Sequence, residues 1–185
     1  NDIVVTLNPP VPILFPSIGG PAVSCTTVEM SANGYVNLLG SNPAAAGNPT
    51  VAAFLTGTPR IGNWHDFDPA AGGTTHYEFD AVNGAHLFTW NNVPDAAIAA
   101  TSNTFQLAFF ANGNVEFRWG TMSVAGGGGW PTLIGFTPGG NAADPGSRDL
   151  STSLPFATAG VDQPPLALAG DVNPVLGTTV NLTTT

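Results

Sequence analysis

The sequence contains no lysine, and its cations are Arg60, Arg118 and Arg148 against twelve acids, for a formal charge of −9. Long-range repulsion from phosphate backbones and anionic lipid follows, so no nucleic-acid partner is expected. The absent lysine also excludes a P-loop at the glycine run Gly126 to Gly129, because that motif needs its lysine to reach the phosphates. Cysteine is nearly absent as well. Cys25 stands alone, which rules out an intrachain disulfide and any CxxC zinc pattern. Charge of either sign is scarce, at 8% of residues against roughly 25% in an ordinary globular chain. Asn, Thr, Ser and exposed backbone must therefore keep the surface wet. No apolar run is long enough to cross a bilayer as a helix, and membrane insertion is not expected. No basic region followed by an apolar stretch opens the chain, which begins at Asn1 without methionine; it reads as a processed secreted chain or a cut piece.

Helical periodicity is also missing. With 23 glycines and 17 prolines, no apolar 3.6-residue pattern survives a helix length, and the best candidate for a helical turn is Pro94 to Ala100, short enough to be one or two turns or an irregular loop. What the sequence has instead is alternation. In Thr75 to Ala81, Tyr77, Phe79 and Ala81 point one way and His76, Glu78 and Asp80 the other, and Asn83-Gly84 follows at once. That dipeptide predicts a two-residue type I′ turn with both residues at positive φ, returning His86 to Val93 antiparallel. Thr104 to Phe110, Asn112-Gly113 and Asn114 to Trp119 form a second hairpin. In it Phe105, Leu107 and Phe109 share a face with Val115, Phe117 and Trp119, while Gln106, Glu116 and Arg118 share the other. Asn33-Gly34 divides a third, Thr26 to Met30 from Tyr35 to Leu39. Short strands at this spacing predict an all-β antiparallel sandwich.

The ends differ from the middle. Residues 1–25 form a proline-rich extended segment with the apolar run Ile3-Val4-Val5, residues 26–160 form the sandwich, and residues 161–185 form a linker and one or two strands containing Val180 and Leu182. Pro164-Pro165 marks the expected boundary. Apolar, β-prone ends without lysine guards predict strands that pair with a neighbouring copy, although folding back onto their own domain is the plainer alternative.

At "TPRIGNWHDFDP" (58 to 69), "HYEF", "LFTWNNVP" and "NTFQLAFFANGNVEFRWG", with Ser31-Ala32-Asn33-Gly34-Tyr35-Val36 ahead of them, the chain resembles the NIDO domain of nidogen. The resemblance covers about residues 26–136 and departs from the pattern at His65. It implies an extracellular β-rich module of adhesion, matrix or surface proteins, secreted or at the cell surface, without an assigned enzymatic activity.

Candidate chemistry is sparse. Asp66 and Asp68 lie on one face of an extended segment and are the candidates for calcium, with no other cofactor expected; the competing reading has both shaping a loop through backbone N–H bonds. His76 and His86 fall on opposite faces of the first hairpin, which disfavours a shared metal. No carboxylate pair has glycosidase spacing, and Ser24-Cys25 lacks a nucleophile's context, so no enzyme is expected. Trp90 and Trp119 read as core, whereas Trp64 and Trp130 beside loops are candidates for stacking on a glycan. The expected function is a structural or adhesive extracellular module, in its sharper form the self-assembling subunit of a surface filament or layer, with itself, another extracellular protein or a glycan as partner. The alternative is a carbohydrate-binding module of a larger secreted protein.

Overall fold

The computed structural model describes residues 2–15, 22–38, 47, 49–123, 132–144, 146, 157–160, 163–167 and 179–182. Two five-stranded antiparallel sheets dominate it. The first contains β1 (Val4–Leu7), β4 (Val28–Ser31), β5 (Tyr35–Leu38), β6 (Arg60–Trp64) and β11 (Leu133–Thr137), side by side in that order. The second has the order β14 (Thr179–Leu182), β10 (Val115–Trp119), β9 (Asn103–Phe110), β8 (Ala85–Val93) and β7 (Thr74–Asp80). Two ribbons accompany them, β2 (Ile13–Phe15) with β3 (Val23–Cys25), and β12 (Ala157–Gly160) with β13 (Gln163–Ala167). The fold is an antiparallel β-sandwich, as the alternation predicts.

Period-2 patterning explains the core. Val28, Met30, Val36 and Ile61 of the first sheet meet Phe88, Trp90, Phe105, Leu107, Phe109, Val115 and Phe117 of the second, and Ile13, Phe15 and Cys25 of the β2–β3 ribbon complete the cluster. Trp90 joins the layers: its ring stacks on Phe105 at 4.8 Å, and its Nε1 donates to the carbonyls of Ser31 and Ala32, both at 3.1 Å. The buried indole N–H is thereby satisfied.

All three Asn-Gly hairpins form, by a different turn from the one expected. Among these six residues only the glycines Gly34, Gly84 and Gly113 have positive φ, so the type I′ expectation is corrected. The β9–β10 loop spans three residues, with Phe110 N–H bonded to the Asn114 carbonyl and Gly113 N–H to that of Phe110. This is a type I turn closed by a left-handed glycine. At the first hairpin Asp80 pairs with Ala85, not Val82, because the Asp80 carboxylate accepts from the N–H groups of Val82 and Asn83 and from Asn83 Nδ2, widening the loop to four residues. The shift is by two residues in pairing, which preserves the faces.

Of the two forms open to Pro94 to Ala100, the structure shows the irregular loop. A helix, α1 (Val51–Thr56), occurs elsewhere, capped by Thr50 Oγ1 accepting from Ala53 N–H at 3.1 Å. Pro164 and Pro165, expected to mark a boundary, stand within β13.

Candidate functional site

The segment following β6 carries the densest group of ionisable side chains. It is clamped from two sides. His65 N–H donates to the Asn33 carbonyl and Phe67 N–H to Asn33 Oδ1, while Asp68 N–H donates to the Pro94 carbonyl and Ala96 N–H to that of Asp66. Phe67 is fully buried against Phe105.

Within this clamp His65 Nε2 lies 2.6 Å from Asp95 Oδ2, and both residues are buried. The other ring nitrogen, Nδ1, is 3.3 Å from Thr132 Oγ1. Asp95 Oδ1 accepts from the N–H groups of Ala97 and Ile98, so the carboxylate is fully engaged. A buried pair whose two carboxylate oxygens both carry partners is a fastening for the 94–101 loop. The sequence offered no spacing for it, since the partners are thirty residues apart.

Asp66 and Asp68 serve different local roles. Asp68 Oδ1 accepts from Ala70 N–H at 3.0 Å, shaping its own turn. Asp66 Oδ1 is buried with no hydrogen bond and lies against Gly47, where an added Cβ would come within 2.7 Å. Burial pushes its carboxyl above the ordinary range; Asp2, Asp95 and Asp68 push the same way, against His65. Among the described residues no group of three or more His, Cys, Asp or Glu side chains converges as a metal site. Calcium at Asp66 and Asp68 would need oxygens from elsewhere.

Trp64 requires a correction. The ring expected at a loop surface is 1% exposed, with Tyr35 edge-on at 5.5 Å, Phe54 of α1 stacked at 6.2 Å and the Arg60 guanidinium over it at 4.5 Å. No face is left for a sugar. The helix that roofs it is the element that the glycine and proline content concealed. Trp130 and the glycines Gly126 to Gly129 lie outside the described residues.

The hairpin face bearing His76 is polar around Thr89 and Gln106, while further along it Ala85, Leu87 and Ala108 form a small buried apolar cluster. His76 pairs with Thr89 across the strands, Gln106 Nε2 donates to Thr89 Oγ1, Arg118 Nη1 donates to Gln106 Oε1, and Arg118 also binds Glu116. His86 faces inward, 3% exposed and 2.9 Å from the Tyr77 hydroxyl, and burial holds its pKa below the usual histidine value. The two histidines are separate. Burial pushes the Cys25 thiol up to about 11, so little thiolate exists near neutral pH.

Both terminal strands close an edge. β1 pairs with β4 from Val4↔Ser31 to Leu7↔Val28, and Ala32 N–H donates to the Ile3 carbonyl. β14 pairs with β10, with Val180 opposite Phe117 and Leu182 opposite Val115. Ile3 and Val5 are 60% and 50% exposed. No family model, curated protein or solved structure matches the chain.

Proposed function

We propose that this chain is an extracellular β-sandwich module with a structural or adhesive role, NIDO-like over about residues 26–136, that assembles with copies of itself by exchanging terminal strands. The observation carrying this reading is that one of the two edges of each sheet is formed by the first or last strand of the described chain, β1 or β14, with β11 and β7 at the opposite edges. Each is bonded on one side only, to β4 or β10. A neighbour's strand entering in the same antiparallel register would make the same backbone bonds, so exchange costs little beyond the linker's freedom. Exposed Ile3 and Val5, without a lysine in the sequence to guard the edge, favour such pairing. The glycan-binding alternative is weakened by the enclosed Trp64 ring.

Electron microscopy and sedimentation of the full chain, compared with chains lacking residues 1–12 or 165–185, test the reading. Polymers or closed oligomers in the full chain that disappear on either truncation, with the β circular-dichroism signal retained, are the expected outcome. A full chain that stays monomeric over a wide concentration range would overturn it.

A further inference from the structure

Arg60 lies on the outer face of the first sheet, in a cross-strand row with Glu29, Asn37 and Thr137. It is 2% exposed. Its guanidinium carbon is 4.3 Å from the centroid of the Tyr35 ring and 4.5 Å from that of Trp64, so two π faces hold the cation. Nε donates to Asn37 Oδ1 at 2.9 Å, which fixes the rotation of the group. Nη2 lies beside the Gly57 backbone, where an added Cβ would stand 3.6 Å away. Next along the chain, Thr58 Oγ1 is buried without a hydrogen-bond partner.

What this arrangement lacks is an anion. Among the described residues, ion pairs form at His65–Asp95 and Arg118–Glu116 but not at Arg60. Burial works against the charged guanidinium, with the Tyr35 hydroxyl opposing. The rings offset part of the lost hydration, yet they offer no in-plane acceptor to the Nη protons. A planar acceptor with two oxygens matches the end-on fork that those nitrogens present.

We propose that the Nη edge of Arg60 and the Thr58 hydroxyl form an internal site for a small monocarboxylate of formate or acetate size, enclosed by the Tyr35 and Trp64 rings and the Gly57 backbone. Size follows from the roof. Phe54 of α1 stacks on Trp64, the N–H groups of Gly140 and Asn141 bind the carbonyls of Gly57 and Leu55, and Arg60 beneath this cover is 2% exposed, which suits a small ligand. Single charge follows from one guanidinium in a chain of net charge −9, with the Glu29 carboxylate in the same row. The anion would act as a resident counter-ion, fastening α1 to the sheet.

Thermal unfolding of the full chain at fixed pH and ionic strength, with sodium chloride progressively replaced by sodium formate or acetate, tests the site. The expected result is a Tm that rises with carboxylate concentration, a response weakened about tenfold in apparent affinity by Thr58→Val and abolished by Arg60→Met. If Arg60→Met fails to fold, Thr58→Val decides. Equal Tm in carboxylate and chloride, or an unaltered response in Thr58→Val, would overturn the proposal.

Discussion

Asp66 holds a carboxylate oxygen in a buried position with no donor, and its environment raises its pKa above the ordinary 3.8. The folded chain therefore binds this proton more tightly than the unfolded chain does. Its contribution to stability is fully present below the ordinary value and is lost as pH rises through the raised one. Asp66→Asn is accordingly expected to raise Tm at pH 7 and to leave it nearly unchanged at pH 3, as read by thermal melts at the two pH values. A fall at pH 7, reproduced by adding a chelator to the unsubstituted chain, would instead mark Asp66 as a calcium ligand. His86 has the opposite sign: its depressed pKa means stability present above the usual 6.5 and lost as pH falls through the folded value. Much at this scale was legible in advance. Residues two apart on a strand share a face, so the Arg118–Glu116 contact and the separation of His76 from His86 needed only the hairpin. His65–Asp95 needed the tertiary fold.

Turns decide the register of the elements, and glycine decides the turns. Gly34 and Gly113 both have positive φ, at 89° and 85°, in three-residue Ala-Asn-Gly loops. Their surroundings differ. An added Cβ at Gly34 would stand 2.3 Å from the Asn63 carbonyl oxygen, whereas at Gly113 the nearest atom is the Ala22 Cβ at 3.9 Å. Gly113→Ala is expected to cost about 1–2 kcal/mol of backbone strain alone. Gly34→Ala should cost more than about 3 kcal/mol or prevent folding, because backbone must move as well. Denaturant titration of both variants checks the order; equal losses would refute the steric distinction. The hairpins were readable because alternating apolar residues flank each Asn-Gly. The turn type was not, since Asp80 captures two backbone N–H groups that a dipeptide rule ignores. Six residues make less than two helical turns, so α1 left no periodic trace beyond its Thr50 cap.

For the whole molecule, the His65–Asp95 pair ties the end of β6 in the first sheet to the loop leaving β8 in the second. Its loss would leave that tie to the core and to the backbone bonds of Asp68 to Pro94 and Ala96 to Asp66. Asp95→Ala removes the Nε2 partner of a buried histidine and frees the N–H groups of Ala97 and Ile98, and is expected to cost about 3–5 kcal/mol in urea unfolding. A loss under about 1 kcal/mol would mean that the two sheets are held by the apolar interface without this tie. By itself the sequence determined the fold class, the three hairpins and the inward set of aromatics, because strand periodicity and turn chemistry act over a few neighbouring residues. Only the tertiary structure decided that Trp64 is enclosed, that His65 meets Asp95, and that Arg60 lies caged without a carboxylate. Those outcomes depend on which distant segments cover each sheet, and no local periodicity encodes that.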